Sequence, residues 1–250
     1  MNAPPRRSSP GRAKASLRGT LLACSLPLGA VLVGAAPAPA DGDAPDRDLP
    51  VYSELIQVFG EAPFVAPVDL GEPVRIVFGI GELEIEAAEI GEVRAELVLD
   101  CREVPEDRCH RYKRRLRIEP VRTADGLEVR MAGLSMRTLR RLQVTGSVRV
   151  PRGSPLEVKI GIGDVDIRSG EKDLSVRMGI GDLTVRVPEE RVGSVSMRTR
   201  IGDAGIELGG RHRPGKRRML IGAKVRWDEG SGDARIDVGL RIGDARVRLE

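Results

Sequence analysis

Apolar and charged residues alternate along most of the chain, in short stretches that begin at about residue 51. Examples are "VRIVF", "LEVKI", "DVDIR", "DLTVRV" and "ARVRLE". A period of two places Val, Ile and Leu on one face of an extended segment and charged residues on the other, which is typical of half-buried β-strands. No stretch beyond the first 40 residues keeps a helical period over three turns, and 135–144 is predicted to be a turn followed by a strand. The pattern therefore predicts one all-β domain over 51–250.

A glycine motif recurs between these stretches, as in "FGIGELEI", "IGIGDVDI", "MGIGDLTV" and "LRIGDARV". The copies are unevenly spaced, which indicates related units with loops of different length rather than a strict short-period array. We predict that the glycine before the acidic residue, and the aspartate after it, form structural turns. These residues are Gly81, Gly163, Asp164, Gly181, Asp182, Gly202, Asp203, Gly232, Asp233, Gly243 and Asp244.

The face on which the apolar residues lie changes at the motif. Val158 and Ile160 share one parity before Gly163, whereas Val165 and Ile167 share the other after it. A reversal or a corner is needed to keep both sets in one core, and glycine supplies a tight bend without steric cost. Two geometries satisfy this, a hairpin turn or an arc in which strands stack as the rungs of a solenoid. The repetition of one corner favours a single β-solenoid-like domain of stacked short strands.

The N-terminus has the order of a secretory signal peptide. Residues 1–18 carry five basic residues and no acidic one, an uncharged apolar run follows, and small residues at 38–40 precede Asp41. We predict cleavage after Ala40, a flexible acidic leader over 41–50, and export to the periplasm or cell surface. Lipidation at Cys24 and retention of the segment as a membrane anchor are alternatives.

Removal of the signal peptide changes the charge balance. The whole chain has 41 basic and 37 acidic residues, and subtraction of the five basic ones leaves 36 against 37. The mature chain is thus almost neutral, which gives no general reason to expect nucleic-acid binding.

Two cysteines remain in the mature chain, Cys101 and Cys109. An even pair close in sequence in an exported chain is predicted to form a disulfide, which closes a loop insertion at about 101–115. The metal alternative would recruit His110, but two thiols and one imidazole lack the four-ligand spacing of a zinc site.

Other chemical motifs are incomplete. The segment 210–216, "GRHRPGK", has the glycine and lysine spacing of a phosphate loop but is followed by Arg217 instead of Ser or Thr. Calcium rolls need a nonapeptide period that is absent here. The two histidines, His110 and His212, lie in basic segments without a nucleophile motif. We therefore predict no catalytic residue, no cofactor and no metal site, with an uncharacterised periplasmic enzyme kept as a second alternative.

Basic clusters at 108–117 and 211–218 are predicted to be loops and are the candidate anion-binding sites. They could contact an acidic envelope polymer or a lipid headgroup through charge, the other interpretation being solvated loops balanced by neighbouring acids. The open ends of a solenoid further predict either a capping segment around 51–70 or self-association. The candidate anion-binding residues are Arg111, Lys113, Arg114, Arg115, Arg213, Lys216, Arg217 and Arg218.

A family resemblance rests on "VTGSVRVPRGSPLEVKIGIGDVDIRSG" at 144–170, and on "VRIVFGIGELEIEA" and "RTADGLEVRMAG" before it. These segments resemble the bacterial putative-adhesin family of toast-rack or β-solenoid type. The resemblance covers about 74–250 and implies an exported or membrane-attached protein without defined catalytic residues. It supplies no site residue and no partner. We therefore expect a non-catalytic structural or adhesin-like protein of the cell envelope, with charge-mediated binding as the alternative function.

Overall fold

The structure, a computed structural model, describes residues 63–101, 104–214, 216–218 and 222–250. The predicted signal peptide, the acidic leader and residues 51–62 of the predicted cap lie outside the described residues. Within them, most residues belong to β-strands that form two nine-stranded sheets, and the helices are few. This confirms the all-β class.

The elements follow one another in chain order with short connections. The strands are β1 (Phe64–Pro67), β2 (Val74–Ile80), β3 (Glu82–Ala88), β4 (Glu92–Asp100), β5 (Arg117–Thr123), β6 (Gly126–Ala132), β7 (Gln143–Pro151), β8 (Leu156–Ile162), β9 (Val165–Arg168), β10 (Leu174–Ile180), β11 (Leu183–Val187), β12 (Val192–Ile201), β13 (Ala204–Leu208), β14 (Arg211–Pro214), β15 (Lys216–Arg218), β16 (Gly222–Trp227), β17 (Ala234–Ile242) and β18 (Ala245–Leu249). The α-helices are α1 (Glu106–Arg115) and α2 (Met136–Leu139).

The two sheets have corresponding strand orders. Sheet 1 runs β1-β4-β7-β3-β9-β11-β18-β13-β14, and sheet 2 runs β15-β16-β12-β17-β10-β8-β2-β6-β5. In each sheet the six strands from β7 to β13, or from β12 to β6, pair in parallel, and the strands outside them pair antiparallel.

Six layers make up the parallel part of the molecule. We call a layer one strand of sheet 2 together with the strand of sheet 1 that follows it in the chain. The layers stack in the order β12–β13, β17–β18, β10–β11, β8–β9, β2–β3 and β6–β7. This is not the chain order, because the last layer, β17–β18, lies between two earlier ones, and the first, β2–β3, lies between β6–β7 and β8–β9.

The corner at Gly163 joins the two sheets. β8 ends at Ile162 in sheet 2 and β9 begins at Val165 in sheet 1, so the chain makes an arc and not a hairpin. The side chains of Val158 and Ile167 are 0% exposed and belong to the core that fills the space between the sheets. The alternating residues thus give each sheet an inner face that is apolar and an outer face that is charged.

The corner glycines stack directly on one another. A Cβ atom on Gly163 would lie 1.9 Å from the carbonyl oxygen of Gly81, and a Cβ on Gly181 would lie 1.8 Å from that of Gly163. Gly163 and Gly181 also have positive φ angles of 141° and 128°, which side chains disfavour. The same close approach continues through Gly243 and Gly202. We call this stack the glycine column.

The sequence predicts a loop insertion at about 101–115, but Glu106–Arg115 form the helix α1, so the prediction of a loop is wrong for these residues. Cys109 and Leu116 are buried and Tyr112 packs against the core, a spacing of three and four that forms one apolar face. Pro105 precedes the helix, acidic residues occupy its first turn and basic residues its last, which complements the helix dipole. The surrounding charges conceal this short period in the sequence.

Edge strands carry residues that oppose further pairing. β1, β5 and β14 are edge strands that contain Pro67, Pro120 and Pro214, and proline cannot donate a backbone hydrogen bond. Of the cap predicted around 51–70, the structure shows β1 pairing with β4 at the edge of sheet 1.

We expect Gly163→Ala to lower the free energy of unfolding by more than about 3 kcal/mol, because the new Cβ meets backbone that cannot move without shifting a whole layer. Gly153→Ala is the matched control, since a Cβ there has no atom within 4 Å and should change stability by less than about 0.5 kcal/mol. Urea unfolding measures both. Equal midpoints for the two variants would contradict the close packing of the corner.

The disulfide between Cys101 and Cys109 is present, with a Cα–Cα distance of 5.8 Å, and it ties the end of β4 to α1. A closed loop of this length stabilises the fold by about 2 to 3 kcal/mol in the chain-entropy model. We expect a reducing agent to lower the free energy of unfolding by this amount in urea titrations. A Cys101→Ser/Cys109→Ser variant should not respond to the reductant, and an equal response would assign the effect to something other than this bond.

Candidate functional site

The outward side chains of sheet 2 form rows across neighbouring strands. In one row Lys159 is level with Arg177, and Arg177 is level with Gly239. In the next row towards the corner, the pairing of the flanking residues places Gly161 level with Gly179, and Gly179 level with Arg241. A row that carries side chains thus adjoins a row that is partly bare backbone.

These rows enclose a groove of about 730 Å³ on the outer face of sheet 2. We call it the basic groove. No Asp or Glu is among the described residues that line it. Its charged lining residues are Arg130, Lys159, Arg177, Arg198, Arg200 and Arg241.

Three of the six cations are balanced by acids just outside the groove. Arg130 pairs with Glu119 at 2.9 Å, and Lys159 pairs with Glu157 at 2.8 Å. The hydrogen bond from Lys159, with a further one from Arg75, holds the pKa of Glu157 below its usual value, so this acid stays ionised at neutral pH.

Arg177 is the third balanced cation and pairs with Asp237 at 2.6 Å. Arg198, Arg200 and Arg241 are exposed, and none of them makes an ion pair with another described residue. All three lie on β12 or β17. The uncompensated positive charge is therefore concentrated at one end of the groove.

The other end of the groove carries apolar side chains and one cation, Arg130, whose charge Glu119 balances. Met131, Leu134 and Met136 line it, from the end of β6 and from the segment that includes α2. A Cβ on Gly79 would lie 2.5 Å from the sulfur of Met136, so this side chain covers Gly79. Four inter-strand steps, about 19 Å, separate β2 below Met136 from β12 at the cationic end.

Sheet 1 has the opposite charge near the corner. A shallow trough on its surface is lined by Thr145, Ser147 and Thr184 and by acids. No Lys or Arg is among the described residues that line it. The near balance of basic and acidic residues over 41–250 therefore conceals two surfaces of opposite sign. The acids of the trough are Glu82, Glu84, Asp164, Asp166 and Asp182.

Comparison with solved structures shows a similarity in fold at low sequence identity. The chain is similar to a putative cell adhesion protein from Clostridium sporogenes, with 14% sequence identity and a TM-score of 0.46, over 76% of this chain and 99% of that chain. No family model and no curated protein matches the chain. The function therefore has to be argued from the chain's own residues.

The candidate anion-binding residues of the sequence lie at opposite ends of the molecule. α1 follows β4, whereas Arg211–Pro214 and Lys216–Arg218 form β14 and β15 at the far edges of the two sheets. From β4 to β14 there are seven inter-strand steps in sheet 1, about 34 Å. The two clusters do not form one surface, and neither is the predicted loop, because the first is largely helix and the second is edge strand.

Some of these residues are already paired. Arg111 bonds Asp107 at 3.1 Å, and Arg213 lies 3.4 Å from Glu229. The amino group of Lys113 is buried, whereas Arg114 and Arg115 are exposed and make no ion pair with a described residue. The side chains of Lys216, Arg217 and Arg218 lie outside the described residues, as does that of His212.

The corner aspartates form a ladder along sheet 1. Oδ1 of Asp164 accepts the backbone N–H of Asp182 at 2.9 Å, and Oδ1 of Asp182 accepts that of Asp244 at 2.9 Å. Oδ1 of Asp244 then accepts the N–H of Asp203 at 2.8 Å. Each aspartate therefore ties its own corner to the corner of the next layer.

Gly232 and Asp233 lie in a bend of the chain that differs from the other copies of the motif in its place in the fold. They precede β17 inside sheet 2 and do not join the sheets, because the corner of this layer is Gly243 and Asp244. Gly232 does not have the positive φ of Gly243. The likeness of "EGSGDARI" to the other copies reflects its Gly-Asp dipeptide and not its place in the fold.

Neither metal-binding geometry nor a membrane-spanning helix is found in the described part of the chain. No group of three or more His, Cys, Asp or Glu residues is placed there to hold a metal ion. No helix there is long and apolar enough to cross a membrane.

Sequence reasoning missed the basic groove, although the repeat contains a signal for it. The residue before the corner isoleucine is glycine in three copies, at 79, 161 and 179, but arginine at 200 and 241. In stacked layers such a difference places cations at one end of a row and bare backbone at the other.

Removal of one step of the aspartate ladder should weaken the stack. We expect Asp182→Ala to lower the free energy of unfolding by about 1 kcal/mol, because the N–H of Asp244 loses its acceptor. Asp182→Asn keeps an acceptor oxygen and should recover most of the loss. Asp233→Ala removes the aspartate of the Gly-Asp pair outside the ladder and should have little effect. Thermal unfolding of the three variants tests this, and equal losses at 182 and 233 would be inconsistent with the ladder.

Proposed function

We propose that this chain is an exported, non-catalytic β-repeat module of the bacterial cell envelope that binds an anionic ligand through the basic groove. The observation that carries the proposal is the set of cations that line the groove in the absence of any lining carboxylate. Arg198, Arg200 and Arg241 lack an ionic partner among the described residues, so their charge is available to a ligand.

The remaining parts of the proposal rest on the pattern of the chain. The stacked layers, with one corner geometry repeated along the glycine column, support a solenoid-like type and a structural or adhesin-like role. The basic and apolar order of residues 1–40 and the disulfide between Cys101 and Cys109 support export and an oxidising compartment.

The groove replaces the predicted clusters as the main anion-binding surface. Arg111 and Arg213 of those clusters are held by neighbouring acids, and the clusters themselves are far apart. In contrast, one end of the groove brings three unpaired arginines together on β12 and β17. Like charges on one strand and on its neighbour repel one another without a counter-ion, which favours binding of an anion there.

Fluorescence polarisation with labelled dextran sulfate tests this function on the full chain. We expect binding that weakens as salt is raised, because the contacts are screened charge pairs. Exchange of Arg198, Arg200 and Arg241 for Glu should lower the affinity by at least about tenfold. The matched control exchanges Arg114, Arg115 and Arg168 for Glu, with the same change in net charge.

Three outcomes of this experiment are distinguished. Loss of binding in the groove variant alone, with both variants folded by circular dichroism, supports the groove. Loss in the control variant alone would assign the activity to the face of α1 or of sheet 1 and would overturn the proposal. Equal loss in both would show a response to net charge only, which also contradicts a defined site.

A further inference from the structure

The floor of the basic groove is a shallow channel without side chains. Gly79, Gly161 and Gly179 lie on the neighbouring strands β2, β8 and β10, in one row of sheet 2. A Cβ on Gly161 would lie 2.2 Å from the carbonyl oxygen of Gly79, so the row is closely packed backbone. On the outer face this leaves a depression over Gly161 and Gly179, which ends where Met136 covers Gly79.

The two ends of this channel differ in chemistry. Beyond Gly179 the same row continues with Arg241 and then Arg200, which are exposed and unpaired among the described residues. At the other end Met136 lies over Gly79, and a Cβ on Gly161 would be 3.4 Å from its terminal methyl group. Met136 is 39% exposed, so part of its surface is open to a ligand in the groove that it lines.

The sides of the channel suit an extended apolar chain. Lys159 and Arg177 line the groove and are held by Glu157 and Asp237, which lie two positions further from the corner, so their charges are balanced away from the row of glycines. The Cδ of Arg177 lies over Gly239, 3.2 Å from the place of its missing Cβ. The groove volume of about 730 Å³ lies within the range of small-molecule sites. A ligand with one anionic end and one apolar chain matches this arrangement along its whole length.

We propose that the basic groove binds a single-chain anionic amphiphile, with its anionic head at Arg200 and Arg241 and its alkyl chain over the glycines towards Met136. This inference rests on the proposed function of the groove and adds the class of ligand. A phosphate or carboxylate head would accept hydrogen bonds from the guanidinium groups, and the alkyl chain would bury apolar surface against Met136. The proposal commits to a single ligand molecule and not to a bilayer surface.

Isothermal titration calorimetry with the full chain tests the ligand class, with dodecyl phosphate as the probe at concentrations below micelle formation. We expect one molecule bound per chain, at least about tenfold more tightly than inorganic phosphate, because the alkyl chain adds buried apolar area. Dodecyl maltoside has the same alkyl chain without the charge. It should bind at least about tenfold more weakly than dodecyl phosphate.

Variants at the two ends separate the head from the chain. Arg241→Glu should weaken dodecyl phosphate at least about tenfold, and Arg168→Glu on sheet 1 should leave it unchanged. Met136→Ser should weaken dodecyl phosphate about fivefold without changing the affinity for inorganic phosphate, and Met136→Leu should restore it. Met136 is exposed on a short helix, so these substitutions are compatible with folding, which circular dichroism verifies.

The outcomes distinguish this inference from the function on which it rests. Equal affinities for dodecyl phosphate and inorganic phosphate, both lost in Arg241→Glu, would overturn the amphiphile and keep the anion site. Binding to phosphatidylglycerol vesicles without binding to monomeric dodecyl phosphate would indicate a bilayer surface and would also overturn it. If Arg241→Glu changes the affinity for neither dodecyl phosphate nor inorganic phosphate, both the amphiphile proposal and the proposed function of the groove are overturned.

Discussion

The contact between stacked corner glycines is the constraint on which the structure depends. Because the carbonyl oxygen of one corner occupies the space that a Cβ of the next would need, Gly163 and Gly181 fix successive layers at the spacing of hydrogen-bonded strands. The hydrogen bonds from Gly163 N–H to Ile180 O, and from Val165 N–H to Asp182 O, hold the backbone on both sides of the corner. The same corner contacts therefore hold the strands of both sheets in register.

Because the layers are in register, residues at the same position of the repeat lie side by side in successive layers and form a column. Inward columns, such as that of Val158, Val176 and Val238, fill the core. The aspartates after the corner fall into a second column and bond from layer to layer. The residues before the corner isoleucine fall into a third, in which Gly179 gives way to Arg241. A substitution that looks minor in one copy of the motif thus changes the end of a continuous surface.

Much of this fold can be predicted from sequence, because alternation and the parity change at Gly163 are local signals. The strands and the inward residues follow from them, and the disulfide follows from the even pair of cysteines close in sequence. The order of the layers does not, since β17–β18 enters between β12–β13 and β10–β11 through pairing of strands that are distant in the chain. The helix α1 is also hidden, because Cys109 and Tyr112 are the few apolar residues in a charged segment.

The basic groove depends on that layer order, which is why reasoning from clusters of like residues did not find it. In chain order, β6–β7 would stand between β2–β3 and β8–β9 and would separate Gly79 from Gly161. Its actual place at the end of the parallel stack makes the row of glycines continuous and puts α2 beside β2, where Met136 covers Gly79. One displaced layer therefore creates both the channel and its apolar end, and the arginines of β12 and β17 supply the other end.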